Sequence, residues 1–482
     1  MRKTVLLCLF ISMFILSSVA VFADSADSYE GDAPDIPIQA TAAILVEQTT
    51  GRVLFGYNYQ ERRYPASMTK MLTALVVLDH LDPDDIIVVG PEINNMPSGY
   101  ATLSHVEGEA LTVRMLLKAL MIRSGNETGR VLALNVVRHT SNNPNISYED
   151  AKREFSILLN QRAQDLGAEN TSFNNPYGLH SPHHFTTAYD LALIARAYME
   201  VPLLAEIAGM RIFEGYGTEG LYIPYADVRH YSWTNTNQTL LGAPFGHPHM
   251  TGIKTGFTTP AGQCLAGAAS FGDLSLITIV FDSEDPGRWQ DTIMLMNYGF
   301  NNFAFREVAR SGERVEYVSI ANPRRGGVDT LAVYTYGAHT ALLSHAEYAN
   351  LTRVVTYNVL LRAPRERRDD YEYEYYDDGL TRLLAPIEEG EVIGTVAYYI
   401  GDNLIFQGNL IAAATVYERT FDSDMDYYIS LFTDNIFTLR GLPYWLAIGG
   451  TTFGFVGMGW ALSLRRKVKE HDRWHKPRAQ RR

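Results

Sequence analysis

The apolar positions of residues 38–305 follow two spacings, one typical of strands and the other of helices. Ala40–Phe55, divided at Gly51, predicts a hairpin, and Gly272-Asp273 separates two further predicted strands, Leu265–Phe271 and Leu274–Phe281. Helical spacing predicts the other elements: Met68–Leu81, Val113–Ile122, Gly129–Val137, Tyr148–Leu166, Thr187–Met199 and Trp289–Phe303. Strands near both ends, with helices between them, indicate an α+β domain.

The pattern changes from about Glu307 onwards, where short β-like runs dominate. These runs are Leu331–Tyr336, Thr352–Leu361, Val392–Tyr399 and Leu404–Ala412. They predict a small β-rich domain over residues 306–419. Within it, the charged and tyrosine-rich insertion Arg365–Asp378 is interpreted as a solvated loop. Residues 420–443 are predicted to link this domain to the apolar run that follows.

The first 23 residues have the pattern of a secretory signal peptide. Arg2 and Lys3 precede an apolar run from Val5 to Phe22, and Ala23 offers a small residue at the cleavage position. An uncleaved membrane anchor is the alternative. The acidic and polar residues 24–37 are predicted to form a flexible leader.

A second apolar run, Tyr444–Leu464, contains no charged residue. Its length matches the ~20 residues that cross a bilayer. Trp445 and Trp460 lie near its two ends, and residues 465–482 carry nine basic and two acidic side chains. Because positive charge stays on the cytoplasmic side, we expect a transmembrane helix with a basic cytoplasmic tail. The body would then lie on the extracytoplasmic face of the cytoplasmic membrane. A helix lying in the interface is the alternative, but the run lacks a charged face.

Composition excludes several classes of function. The formal net charge is −13 although the tail is basic, so the body is acidic and nucleic-acid binding is not expected. Cys264 is the only cysteine outside the predicted signal peptide. It is therefore interpreted as a small buried side chain and not as part of a disulfide framework. The histidines lack clustered ligand spacing, and His183-His184 is interpreted as a loop pair. No metal and no cofactor are predicted.

Ser67-Met68-Thr69-Lys70 is the first motif that could take part in catalysis. If Ser67 opens a helix, Lys70 lies three residues further on the same face. A serine hydroxyl needs a nearby base to become a good nucleophile. Lysine can be that base when burial and neighbouring positive charge lower its pKa. We therefore predict Ser67 as nucleophile and Lys70 as general base.

The second motif is Ser124-Gly125-Asn126, predicted to lie on a turn between helices. The Ser124 hydroxyl could relay a proton to a leaving group. The Asn126 amide both donates and accepts, so it could hold Lys70 and a substrate amide together.

The third motif is Lys254-Thr255-Gly256, predicted to lie on an edge strand. Lys254 would add positive charge, Thr255 could bind a carboxylate, and Gly256 would leave room for substrate. A backbone N–H of such a strand can join that of Ser67 as an oxyanion hole. Each motif alone is weak, but only four lysines lie between Asp24 and Leu464, and two of them fall inside the motifs.

In this order the three motifs resemble those of serine penicillin-recognising enzymes. Longer segments are similar to low-molecular-mass penicillin-binding proteins that are serine-type D-Ala-D-Ala carboxypeptidases: Tyr64–Ala74, Leu120–Asn126, Asn175–Leu179, Thr186–Asp190, Gly252–Thr258 and Ala261–Cys264. The resemblance covers residues 38–305. It extends more weakly to Pro386–Gly394, which resembles the β-rich stalk domain of that family.

The resemblance implies a β-lactamase-like transpeptidase fold with an antiparallel sheet and a helical cluster, then a β-rich domain and a C-terminal membrane attachment. It implies that Ser67 is acylated by the D-Ala-D-Ala end of peptidoglycan stem peptides, and by β-lactam antibiotics. The other family roles fall on matching positions: Lys70 as base, Ser124, Asn126 and Lys254 in the proton and charge network, Thr255 on the substrate carboxylate, and Arg288 beside it. A surface arginine at a helix start is the alternative for Arg288.

The chain departs from the family pattern at two places. Tyr177-Gly-Leu-His180 stands where the family often has His-Gly-Leu-Asp, and Glu127-Thr128-Gly129 replaces a more usual acidic-small-small run.

Three alternative functions stay open. A β-lactamase would need a deacylating glutamate, and no Glu-x-x-x-Asn candidate is evident. A non-catalytic wall-binding scaffold would not need intact motifs. An endopeptidase cannot be separated from a carboxypeptidase by sequence.

Overall fold

The computed structural model describes residues 36–94, 96, 102–103, 105–218, 229–357, 382–435 and 465. The predicted signal peptide, nearly all of the leader, the insertion at 365–378 and the apolar run at 444–464 lie outside these residues. The chain divides into two compact units, Met1–Ala304 and Phe305–Arg482. Within the described ranges, no helix is both long and apolar enough to cross a membrane.

The first unit combines strands with a cluster of helices. Its strands are β1 (Ala42–Glu47), β2 (Val53–Tyr57), β3 (Ile86–Val88), β4 (Ala110–Thr112), β5 (Ile212–Tyr216), β6 (His230–Thr234), β7 (Met250–Thr258), β8 (Gly262–Phe271) and β9 (Leu274–Ser283). Its α-helices are α1 (Lys70–His80), α2 (Val113–Ile122), α3 (Asn126–Ser141), α4 (Tyr148–Asp165), α5 (Ala188–Glu200), α6 (Pro202–Gly209) and α7 (Gly287–Asn302). Short 3-10 turns lie at Ala66–Thr69 and Pro91–Ile93.

Five of these strands form an antiparallel sheet in the order β2-β1-β9-β8-β7. Every residue of β1 is buried, as expected for a strand inside a sheet that is covered on both faces. The predicted hairpins are confirmed: Leu45 pairs with Phe55 across β1 and β2, and Ala268 pairs with Ile277 across β8 and β9. β7 forms one edge of the sheet, which leaves one side of its backbone unpaired by the sheet.

The helical cluster surrounds α1, whose residues from Lys70 to Val77 are all buried. The helices predicted from apolar spacing are present: α2 has the predicted ends, Val113 and Ile122, and the others differ at one or both ends. The clearest difference is α3, which begins at Asn126, whereas the spacing predicted a start at Gly129. The first turn of α3 is polar yet buried, so hydrophobic periodicity could not reveal it.

The second unit is β-rich, as predicted. Its elements are β10 (Phe303–Ala309), β11 (Arg314–Ala321), β12 (Thr330–Tyr336), β13 (His339–Ser344), β14 (Leu351–Tyr357), β15 (Arg382–Leu384), β16 (Val392–Ile400), β17 (Asn403–Ala412), α8 (His345–Ala349) and α9 (Phe421–Asn435). Six strands form a sheet in the order β14-β16-β17-β12-β11-β15, where only the β11–β15 pairing is parallel.

Helix α9 lies inside the segment interpreted from sequence as a linker. Its start has local signals that periodicity did not reveal. The Ser423 backbone N–H donates to the Thr420 hydroxyl at 3.1 Å, and the first turn contains Asp422 and Asp424. Both features favour a helix start, because the hydroxyl satisfies a free N–H and the carboxylates face the positive end of the helix dipole.

Candidate active site

Ser67 and Lys70 meet at the start of α1. Ser67 lies in the 3-10 turn Ala66–Thr69, which runs directly into the helix, and Lys70 is the first residue of α1. Lys70 Nζ lies 2.9 Å from Ser67 Oγ. Ser67 is partly exposed, whereas Lys70 is fully buried. The hydroxyl is thus accessible from solvent while the amine beside it is shielded.

The Lys70 amine has two other fixed partners. It donates to Asn126 Oδ1 and to the backbone carbonyl of Tyr177, both at 2.8 Å. A neutral amine has two N–H bonds and one lone pair. In the neutral form, these two acceptors use both N–H bonds and leave the lone pair for the Ser67 hydroxyl. The arrangement therefore allows a neutral Lys70 to accept the hydroxyl proton.

Electrostatics support the neutral form of Lys70. Burial holds its pKa well below the ordinary value, and the positive charge of Lys254 lowers the pKa further, while Glu127 opposes this shift. Desolvation of an ammonium and a neighbouring like charge both disfavour protonation.

A loop at Asn175–Leu179 supplies the carbonyl of Tyr177. The Asn175 side chain accepts from the backbone N–H groups of Gly178 at 2.8 Å and Leu179 at 2.9 Å. Gly178 has φ +84°, and a Cβ there would lie 1.8 Å from the carbonyl oxygen of Ala66. Only glycine fits this position, and the loop lies directly against the turn that carries Ser67.

His184 supports the same turn. The sequence analysis did not assign this role to His184. Its Nε2 lies 2.8 Å from Thr69 Oγ1, and its Nδ1 accepts from the Asn174 backbone N–H at 3.1 Å. Nε2 must therefore carry the proton and donate to Thr69, which in turn donates to the Ala66 carbonyl at 2.8 Å. Burial lowers the pKa of His184 to about 3, so the ring is neutral. No sequence signal distinguished His184 from a loop histidine.

The Ser124-Gly125-Asn126 motif connects α2 to α3. Ser124 has φ +64°, an unfavourable conformation for a residue with a side chain. Ser124 and Gly125 lie on the predicted turn between helices, whereas Asn126 is the first residue of α3. Both side chains are nearly buried, and Asn126 reaches Lys70.

Strand β7 brings Lys254, Thr255 and Gly256 to the same place. A Cβ at Gly256 would lie 3.0 Å from the Pro65 carbonyl oxygen, so the edge strand passes closely beside the Ser67 turn. Lys254 is buried and donates to the Thr255 carbonyl at 3.0 Å. Its burial, assisted by the charge of Arg288, lowers its pKa to about 7.

The Thr255 and Arg288 side chains lie along the same strand. Thr255 Oγ1 is 2.8 Å from the hydroxyl of Thr236, a residue that sequence reasoning did not select. Arg288, at the start of α7, donates to the Gly256 carbonyl at 3.4 Å and stacks 4.1 Å from the Trp289 ring. Arg288 therefore lies beside β7, which favours the family role over the alternative of a surface arginine at a helix start. Burial lowers its pKa.

Seven of the eight residues predicted from sequence thus group around the turn of Ser67 and the edge of β7, and Ser124 lies two residues before Asn126. Among the residues that the structure describes, no group of His, Cys, Asp and Glu side chains could hold a metal ion. The Cys264 thiol is buried on β8, and burial raises its pKa to about 12.

Comparison with known proteins identifies the family. A family model described as D-alanyl-D-alanine carboxypeptidase matches residues 29–285, more than half of the chain. The chain belongs to this family. A second model, the C-terminal domain of penicillin-binding protein 5, matches residues 306–418. The resemblance inferred from the three motifs is therefore confirmed. The family is one of serine peptidases among the penicillin-binding proteins that act on peptidoglycan.

Individual relatives agree with this assignment. D-alanyl-D-alanine carboxypeptidase DacF of Bacillus subtilis is 25% identical over 74% of this chain and 81% of its own length. DacD of Salmonella typhimurium is 28% identical over 84% of this chain and 93% of its own length. The solved structure of penicillin-binding protein 6B from Escherichia coli matches with a TM-score of 0.55 and 22% identity over 79% of this chain and 98% of that one. Penicillin-binding protein 5 from Haemophilus influenzae matches with a TM-score of 0.53 and 22% identity over 80% of this chain and 100% of that one. These two structures support the fold.

Proposed function

We propose that this chain is a serine D,D-carboxypeptidase that removes the terminal D-Ala from peptidoglycan stem peptides through an acyl-enzyme on Ser67. The observation that carries the proposal is the placement of Lys70 Nζ 2.9 Å from Ser67 Oγ, with its other two hydrogen-bond acceptors fixed. This is the geometry that an activated serine requires.

In the acylation step, Ser67 Oγ attacks the carbonyl carbon between the two D-Ala residues, and its proton passes to the Lys70 amine. The negative charge that develops on the carbonyl oxygen is bound by the backbone N–H of Ser67 and an N–H of the β7 edge. The peptide bond then breaks. The leaving amine receives a proton through the Ser124 hydroxyl, and D-Ala departs while the shortened peptide stays esterified to Ser67.

Recognition of the substrate carboxylate falls to Lys254, Thr255 and Arg288. Burial lowers the pKa of Lys254 to about 7, so its charge at neutral pH depends on its surroundings. A bound carboxylate would favour the charged form, because an opposite charge raises the pKa of a lysine. Substrate binding would thus favour protonated Lys254, and the positive charge of Lys254 would keep Lys70 neutral.

In the second step, water attacks the ester and releases the shortened peptide, which regenerates Ser67. β-Lactam antibiotics would acylate the same oxygen, because their strained amide presents an equivalent carbonyl to Ser67 with a carboxylate nearby. The lifetime of that ester distinguishes a D,D-peptidase from a β-lactamase, which hydrolyses it rapidly.

We also propose that the enzyme works on the extracytoplasmic face of the cytoplasmic membrane. Support comes from the sequence pattern of residues 1–23, from the uncharged run 444–464 and from the basic residues after it. Fractionation of cells that produce the full chain, compared with a chain ending before residue 444, tests this. Recovery of both proteins in the soluble fraction would refute the anchor.

The deciding experiment is acylation by a labelled penicillin followed by intact-protein mass, with Ser67→Ala as the control. We expect one adduct on the wild type and none on the variant. In parallel, release of D-Ala from a peptide ending in D-Ala-D-Ala should require Ser67. Folded wild type that forms no adduct would refute the proposal and leave the scaffold alternative. Rapid turnover of the adduct would favour the β-lactamase alternative.

A further inference from the structure

A chain of buried polar side chains, none used by the proposed chemistry, runs beside the Ser124-Gly125-Asn126 motif. Thr128 Oγ1 is 3.0 Å from His105 Nε2, and His105 Nδ1 is 3.6 Å from a carboxylate oxygen of Glu109. The hydroxyl of Tyr231 donates to the other oxygen of Glu109. The side chains of His105 and Glu109 are 0% and 3% exposed.

One end of this chain contacts the motif directly. Thr128 lies in the first turn of α3, and a Cβ at Gly125 would lie 2.4 Å from its hydroxyl oxygen and 2.6 Å from a methyl of Leu103. The Leu103 backbone N–H also donates to the buried carboxylate of Glu127. Leu103 and His105 are therefore attached to the residues that immediately follow Asn126.

The other end reaches the strand that precedes Thr236. Tyr231 belongs to β6, which ends at Thr234, two residues before Thr236. The Thr236 hydroxyl is the one that pairs with Thr255 on β7. Residues 105–109 thus connect the turn that carries Ser124 to the strand that leads to the carboxylate-binding edge.

Glu109 remains ionised within this chain. Burial by itself would raise its pKa, but the nearby His105 ring and hydrogen bonds from the Tyr231 hydroxyl and the backbone N–H of Val106 outweigh it and hold the pKa below its ordinary value. Arg229 adds a positive charge 3.8 Å away. A buried charge with several partners is costly to rearrange, so it fixes the geometry of the groups around it.

Ser124 needs such support because of its backbone conformation. Its φ of +64° is unfavourable for a residue with a side chain, and it persists only when neighbouring groups hold it. The groups packed beside the adjacent Gly125 are Leu103 and Thr128, and Thr128 contacts His105.

We propose that His105 is a positioning residue for this enzyme: through Thr128 it holds the turn that presents the Ser124 hydroxyl to the leaving group. The inference rests on the proposed function, because Ser124 acts only if Ser67 is acylated. It predicts that loss of the His105–Thr128 hydrogen bond slows bond breaking while the initial, non-covalent binding of the ligand is kept.

The test compares Thr128→Val, which keeps the side-chain shape and removes the hydroxyl, with Thr128→Ser, which keeps the hydroxyl. A matched control is Thr292→Val on α7, since Thr292 is also fully buried and its hydroxyl has no hydrogen-bond partner among the described residues. Stopped-flow acylation by a fluorescent penicillin gives the non-covalent dissociation constant and the acylation rate constant separately. Thermal unfolding of each variant checks its fold.

We expect Thr128→Val to lower the acylation rate constant about tenfold, the effect of losing one buried hydrogen bond, with the dissociation constant unchanged. Thr128→Ser and Thr292→Val should stay near wild type. His105→Ala should have the same effect as Thr128→Val, and the double variant should be no slower than either single variant, because both remove one interaction.

Wild-type acylation in Thr128→Val, or independent effects that multiply in the double variant, would overturn the inference. A loss of penicillin affinity at an unchanged rate constant would also overturn it. Folded wild type that forms no adduct would refute the proposed function first, and this inference with it. That outcome is distinguishable, since it appears before any variant is compared.

Discussion

The two units of the chain bury different kinds of side chain. Among the described residues, the buried charged side chains all lie in the first unit, and they include Lys70, Lys254 and Glu127. In the second unit, the buried polar residues that the structure describes are Thr335 and Ser423, and its core consists of apolar residues such as Val333 and Leu410.

The buried charges of the first unit include the groups of the proposed chemistry, whereas the apolar core of the second unit serves stability. Removing a charge from water costs free energy, and an apolar side chain of similar size would stabilise a fold at least as well. The first unit bears this cost where a lysine must lose its proton near neutral pH. The second unit, which contains none of the proposed site residues, has an interior that follows the ordinary hydrophobic rule.

The largest effect should come from Lys70→Met, which replaces the buried amine by an apolar side chain of similar length. We expect acylation of Ser67 to fall about a thousandfold, because the serine loses its base. The thermal midpoint should not fall, because the buried amine no longer has to be removed from water. Labelled penicillin and thermal unfolding measure the two effects.

Lys152→Met is the control for this prediction, because Lys152 lies on the surface of α4 and pairs with Glu149. It should change neither quantity. Acylation of Lys70→Met within tenfold of wild type would contradict the role of base.

The converse test is Leu410→Ala in the core of the second unit, where Leu410 is fully buried. Truncation of a buried leucine leaves a cavity and should lower the free energy of unfolding of this unit by about 3 kcal/mol. The acylation rate should be unchanged, because the proposed site residues lie in the first unit. Calorimetry of the full chain and penicillin labelling check this prediction. A fall in the acylation rate that accompanies the loss of stability would contradict the separation of chemistry and stability between the two units.

A pH series sharpens the comparison at Lys254. Its pKa is about 7 in the folded chain against an ordinary value of 10.5. Between these values the unfolded chain binds more protons than the folded one, so this lysine makes stability rise with increasing pH. We expect Lys254→Met to be more stable than wild type by the widest margin below about pH 7, with the margin shrinking towards about pH 10. Urea unfolding across this range measures it, and a margin independent of pH would contradict it.

The smallest effect is expected at an exposed ion pair of the second unit. Glu307 and Arg310 form a hydrogen-bonded pair on the surface, where water and salt screen the charges. Arg310→Ala should therefore leave the thermal midpoint and its salt dependence essentially unchanged. A clear drop in the midpoint would show that surface charges contribute to this unit after all.

Sequence predicted the parts of the site that depend on local spacing. Ser67 and Lys70 meet because they are three residues apart in a helical turn, and the β8–β9 hairpin forms around the turn at Gly272. Short-range geometry of this kind follows directly from the order of residues.

The rest of the site depends on contacts between distant residues. Thr69 and His184 are 115 positions apart, and the Tyr177 carbonyl that binds Lys70 is a backbone atom that any residue would supply. Neither the pairing of Thr236 with Thr255 nor the polar first turn of α3 has a sequence signal of its own. Tertiary packing determines these features, and a periodic pattern does not encode them.

The contact between Gly178 and the Ala66 carbonyl restricts how this enzyme could evolve resistance to antibiotics. Every replacement at position 178 would push the loop away from the turn of Ser67, and with it the carbonyl that orients Lys70. Since penicillins and the natural peptide would be attacked by the same oxygen, a change here harms both reactions together. Selection by the drug therefore has no useful variant at this position and must act elsewhere in the gene, or on the amount of protein made.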